Sequence, residues 1–85
     1  MRVLYADVFV KNFKRLPEAI QDTYHKQEKI FKINWRDPRL HTKKLHGEPV
    51  TFSFRITRAY RALFVFVKPD TVLLAAIGHR KDVYR

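Results

Sequence analysis

An imidazole, two guanidiniums, an ammonium and a phenol stand within eight residues in the segment Gly78-His79-Arg80-Lys81-Asp82-Val83-Tyr84-Arg85. All five can donate a hydrogen bond to a phosphate oxygen, and His79 and Tyr84 can also exchange protons. The segment directly follows the apolar run Val72-Leu73-Leu74-Ala75-Ala76-Ile77. A buried strand that ends in a polar cluster delivers side chains to a surface from a rigid support. The chemistry this set suits is gripping or cleaving RNA.

The charge balance agrees with that chemistry. Lys and Arg number 18 against 8 Asp and Glu, a net charge of +10. Residues 1–38 carry 8 basic and 5 acidic groups, whereas residues 39–85 carry 10 and 3. A field of this sign favours polyanions, nucleic acid first among them. The basic excess lies mainly outside the helical half, which fits a membrane-surface helix poorly. Further contacts to RNA are expected from Arg55, from Lys43, Lys44 and His46, and from Lys81 and Arg85 of the closing segment.

At 85 residues and 46% hydrophobic the chain makes one domain, residues 1–85. Its twelve aromatics supply large buried areas to a small core. With no cysteine, disulfides and thiolate zinc sites are excluded, and a reducing compartment is the natural expectation. The histidines His41 and His46 have no metal-ligand spacing, so no metal and no cofactor are expected. No stretch approaches transmembrane length, and the start carries no long apolar run. A cytoplasmic protein with no membrane partner is therefore expected.

The elements that must position the cluster follow from periodicity. Residues 1–6 alternate as a short strand. Asp7 is placed to cap a helix with apolar Phe9, Phe13 and Leu16 at i, i+4 and i+7. Pro17 suits the first turn of a second helix running to about Ile33, with Ile20, Tyr24, Ile30 and Phe31 apolar. Turn chemistry from Asn34 to Pro49 reads as a basic loop. Phe52, Phe54 and Ile56 alternate with Thr51, Ser53 and Arg55; Phe64 and Phe66 alternate with Arg61, Leu63 and Val65. Thr71–Ile77 reads as a central strand. The expected fold is α+β in the order β-α-α-β-β-β, with an N-terminal helical hairpin on one face of a small, mainly antiparallel sheet. Parity then turns Arg55 and Arg61 to the opposite face, beside the closing segment.

Three stretches carry a resemblance: Lys43-Lys44-Leu45-His46-Gly47, the hairpin Phe54-Arg55-Ile56 to Tyr60-Arg61-Ala62-Leu63-Phe64, and Ile77-Gly78-His79-Arg80-Lys81-Asp82-Val83-Tyr84. Together with the Phe-x-x-x-Phe-x-x-Leu-Pro pattern of the helical half, they make the chain similar to the RelE/ParE toxins of type II toxin–antitoxin systems. The resemblance implies a toxin held inactive by an acidic antitoxin protein. RelE-type members are endoribonucleases that cut mRNA on the ribosome without metal and inhibit translation. A 2′-hydroxyl attacks the adjacent phosphate, leaving 2′,3′-cyclic phosphate ends. By the same resemblance Arg61 binds the scissile phosphate, Arg80 stabilises the transition state, and Tyr84 acts as the base. Arg55 matches a basic residue of the strand before.

RelE itself also carries two lysines on the active face of the second strand. Parity puts Thr51 and Ser53 there, and a hydroxyl is neither a cation nor a strong acid. The resemblance to relatives that use a C-terminal histidine implies His79 as the proton donor instead; the alternatives are a slow enzyme or a catalytically decayed toxin that only binds its antitoxin. The ParE-type alternative, a DNA gyrase poison on the same fold, would leave Arg61, Arg80 and Tyr84 without a task.

Overall fold

The structure, a computed structural model, describes residues 1–47 and 49–84. Strand β1 (Arg2–Tyr5) leads into helices α1 (Asp7–Lys14) and α2 (Glu18–Ile33). A 3-10 turn (Pro38–Leu40) precedes strands β2 (Lys43–Leu45), β3 (Thr51–Arg55), β4 (Tyr60–Lys68) and β5 (Thr71–His79), and a short helix α3 (Arg80–Val83) follows. The sheet order is β1-β5-β4-β3-β2, with β1 parallel to β5 and every other pair antiparallel. This is the expected α+β architecture with two added elements, β2 and α3.

The two helices form as their spacing predicts. Asp7 is the first helical residue of α1 rather than its cap, so its carboxylate meets the positive end of the helix dipole. Pro17 caps α2, which begins at Glu18. One face of the sheet takes this hairpin. Phe31 of α2 stacks on Phe54 of β3 at 4.7 Å between ring centroids and meets Phe64 of β4 edge-on at 4.8 Å. Phe9, Tyr24, Leu40, Val72, Leu74 and Ile77 complete that buried layer. Among the described residues no helix is long and apolar enough to cross a membrane.

A polar clasp ties β1 to α2. The Tyr5 and Tyr24 hydroxyls both donate to Glu28 Oε2, at 2.7 and 2.6 Å, and Lys32 Nζ lies 3.5 Å from Oε1. Burial alone would raise the Glu28 pKa, but the bonds from Tyr24 and Tyr5 and the Lys32 ammonium outweigh it and hold it below the ordinary value. Both phenols are pushed up, by burial first and then by their bonds to this carboxylate.

The pairing register decides what the other face carries. Thr51, Ser53 and Arg55 of β3 stand opposite Val65, Leu63 and Arg61 of β4. Arg61 in turn stands opposite Gly78, and Leu63 opposite Ala76. On the last strand Phe64 pairs with Leu74, so Ala75 has no partner and forms a bulge. The bulge shifts the alternation of β5 by one. Ile77 therefore enters the core opposite Ala62, and Gly78 comes to the open face.

Candidate functional site

Helix α3 is the element that builds the site. It folds back over the open face: an added Gly78 Cβ would lie 3.9 Å from Val83 Cβ. Two bonds hold its start. Arg80 N–H donates to the Ala59 carbonyl at 2.7 Å, and Lys81 N–H donates to His79 Nδ1 at 3.1 Å. The second is an N-cap, with imidazole in the place of the usual Ser or Asp. The Tyr84 hydroxyl then donates to Ser53 Oγ at 3.4 Å, pinning the end of α3 across β3. Ser53 is only 2% exposed, which explains why a hydroxyl sits here: a larger polar group would have to displace Tyr84.

Arg61 is preorganised by the β3–β4 turn. One guanidinium nitrogen, Nη1, donates to the carbonyls of Thr57, Arg58 and Tyr60 at 2.6, 2.7 and 3.1 Å. Thr57 Oγ1 shapes that turn by accepting from the N–H groups of Ala59 and Tyr60, each at 3.2 Å. Burial first, and then the like charge of Arg55, lower the Arg61 pKa; Arg80 adds to the repulsion and Tyr84 opposes it. Arg55 stands directly opposite Arg61 on the same face, a pairing that costs stability. Its Nε is buried and has no hydrogen-bond partner among the described residues. Arg61 thus lies within electrostatic reach of Arg55, Arg80 and the Tyr84 phenol, and neither ion pair among the described residues involves the three arginines. Such an arrangement is costly at rest and gains from an anion.

A cavity of about 440 Å³ opens beside Tyr84, floored by Leu63 and Val83 and walled by Lys43, Leu45, His46 and Thr51. The wall is β2, which the turn chemistry of residues 34–49 had predicted to be loop. Three residues, two of them lysines, show no periodicity; they become a strand only by pairing with β3. That pairing separates the two lysines. Lys43 stands opposite Ser53 and faces the cavity with Leu45, whereas Lys44 stands opposite Phe52 on the helix-bearing face. There Lys44 lines a second cavity with Trp35, Arg36 and His41.

Of the residues singled out in the sequence, the fold gathers Arg55, Arg61, Arg80 and Tyr84, with Lys43 and His46 across the cavity. It does not bring Lys44 there. His79, expected as the acid, is also turned away. It pairs with Tyr60 in the alternation of Ile77 and Ala62, meets the Tyr60 ring at 5.5 Å, and its Nδ1 is occupied in capping α3. The bulge at Ala75 is the reason, because an unbulged strand would point His79 to the open face. Lys81 is exposed on α3, and Arg85 lies outside the described residues. Sequence reasoning missed the parts played by Ser53 and Thr57. Parity placed Ser53 on the correct face, but nothing in the sequence revealed that Tyr84 would reach it.

No protein-family model matches the sequence, and neither does any curated protein sequence. Solved structures do match. The archaeal RelE of the RelE–RelB complex from Pyrococcus horikoshii OT3 superposes with a TM-score of 0.76 at 20% identity, over 96% of this chain and 97% of that one. In the RelB–RelE antitoxin–toxin complex from Methanococcus jannaschii the values are 0.76 and 26%, over 95% and 94%. A YoeB/ParE toxin from Agrobacterium tumefaciens gives 0.76 at 13%, over 94% and 99%. With its helical hairpin on one face of the sheet and its arginines on the other, this chain has the fold of the RelE-like toxins.

Proposed function

We propose that the chain is the toxin of a type II toxin–antitoxin pair and a ribosome-dependent, metal-independent mRNA endoribonuclease acting in the cytoplasm. The observation that supports this reading is that Arg55, Arg80 and the Tyr84 phenol all lie within electrostatic reach of Arg61, with no carboxylate counter-charge among the described ion pairs. A phosphodiester set among the three guanidiniums relieves the repulsion around Arg61. As the 2′-oxygen attacks, negative charge grows on the phosphoryl oxygens, and preorganised guanidiniums stabilise that charge more than they stabilise the ground state. Arg61 is suited to this because its Nη1 is already fixed by three carbonyls. Tyr84, with its oxygen beside these charges, takes the proton of the attacking hydroxyl. Lys43, His46, Lys81 and Arg85 extend the contact to neighbouring phosphates, and Lys44 serves a phosphate that passes on the other side of β2.

The test is expression without antitoxin, followed by primer extension on a defined mRNA. Cleavage within the ribosomal A site, with 5′-hydroxyl ends and unaffected by EDTA, is expected. Arg61→Ala and Arg80→Ala should each abolish it and restore growth. Intact mRNA together with trapped DNA gyrase would replace this reading with the gyrase-poison one.

A further inference from the structure

An in-line displacement at phosphorus places the entering and leaving oxygens on opposite sides, so its base and its acid belong on opposite walls. Tyr84 stands on the α3 wall of the cavity. The opposite wall is β2 and the bend that follows it. Leu45 faces the cavity, so unbroken alternation would send His46 to the other side of the sheet. His46 nevertheless lines the cavity, in the bend that ends the strand; Gly47 after it, at φ 128°, takes a backbone conformation that side-chain-bearing residues rarely adopt and turns the chain away. Guanidiniums do not give up protons, and an ammonium is a weaker acid than an imidazolium. Imidazole exchanges protons readily between about pH 5 and 8.

We propose that His46 is the catalytic acid that protonates the leaving 5′-oxygen, the task that sequence reading assigned to His79. The inference rests on the ribonuclease reading above. In the step, the 2′-oxygen–phosphorus bond forms as the phosphorus–5′-oxygen bond breaks. The 2′-hydroxyl proton passes to the ionised Tyr84 oxygen, and the electron pair of the broken bond stays on the 5′-oxygen, which takes the proton of the His46 imidazolium. The products are a 2′,3′-cyclic phosphate and a 5′-hydroxyl, and exchange with water returns both side chains to their starting state. The charged or titratable groups that share the cavity lining with His46 are Lys43 from β2 and Tyr84 at the end of α3, and the phenol acts in turn on Arg61, which also feels Arg55 and Arg80.

The experiment compares the wild-type chain with His46→Ala and His46→Gln on programmed ribosomes. One mRNA is all-oxygen; a second carries a 5′-phosphorothiolate in the A-site codon, whose sulfur leaves without a proton. Both variants should cleave the oxygen mRNA roughly 100-fold more slowly, at unchanged melting temperature. Both should cleave the thiolate mRNA within about threefold of wild type, whereas Arg61→Ala stays inactive on it. Variants as fast as wild type on the oxygen mRNA, or equally slow on both mRNAs, would overturn the assignment. A wild-type chain that leaves both mRNAs intact would instead overturn the ribonuclease reading, and the assignment with it.

Discussion

Replacing Arg55 with Met should make the protein more stable and its site weaker. Arg55 and Arg61 are directly opposed across β3 and β4. Cross-strand partners have Cβ atoms roughly 5 Å apart, so their charges sit at about 6 Å. At an effective dielectric constant of about 50, suited to a water-facing surface, the repulsion is ~1 kcal/mol. The buried, unpartnered Arg55 Nε adds a desolvation cost of ~1 kcal/mol, which Met removes while keeping the aliphatic stem. Allowing for lost favourable contacts, a net stabilisation of ~1 kcal/mol should appear as a rise in Tm of about 4–8 °C. Differential scanning calorimetry in low-salt buffer without multivalent anions measures it. Adding salt should shrink the gap as the repulsion is screened. Adding a short uncleavable RNA should stabilise wild type by mass action more than the variant, reversing the order. A variant less stable than wild type in anion-free buffer would refute the reasoning, because Arg55 would then be held by interactions that offset both costs.

Further outcomes follow from the same geometry. Glu28→Gln should cost about 1–3 kcal/mol at neutral pH by weakening two charged hydrogen bonds. Because the Glu28 pKa is lowered in the fold, its contribution is complete above about pH 4.5 and is lost as pH falls through the folded value, so wild-type and variant melting curves should converge in acid. His79→Asn keeps an N-cap acceptor for Lys81 N–H and should retain mRNA cleavage within about threefold, whereas His79→Ala should fray α3 at a cost of ~1 kcal/mol; lost cleavage in the Asn variant would return His79 to the machinery. Phe31→Ala, which empties a fully buried site between Phe54 and Phe64, should cost about 3–5 kcal/mol in a urea melt. An acidic, partly disordered antitoxin should associate more slowly as salt rises while dissociation changes less, as stopped-flow mixing would show; a salt-independent association rate would argue against charge-steered inhibition.

The helical hairpin and the β3–β4 pair were legible in the sequence because each buries one face at the period of its own backbone. Phe9, Tyr24 and Phe31 mark the helices, and Phe54 and Phe64 the strands. The same alternation placed Arg55 and Arg61 together before any coordinates. Strand β2 left no such mark, since an edge strand of Lys43-Lys44-Leu45 is defined by its neighbour and its lysines guard the edge. The orientation of His79 was equally hidden. Val72–Ile77 is apolar at every position, so nothing in it tells a regular strand from a bulged one, and one unpaired alanine decides which face the histidine takes.

The bulge at Ala75 also separates the length of the chain from the aim of its tail. Residues on either side of it already face as a regular ladder would have them, so losing one of the two neighbouring alanines straightens β5 and leaves Ile77, Gly78 and His79 on their present faces. A single-residue insertion between Ile77 and Gly78 finds no such slack. It would rotate everything downstream by half a pleat, swinging α3, with Arg80 and Tyr84, off the open face. Insertions and deletions are thus unequal along this strand. A residue can be lost from its middle without turning the tail, whereas a residue gained among its last three positions turns α3 away from the open face.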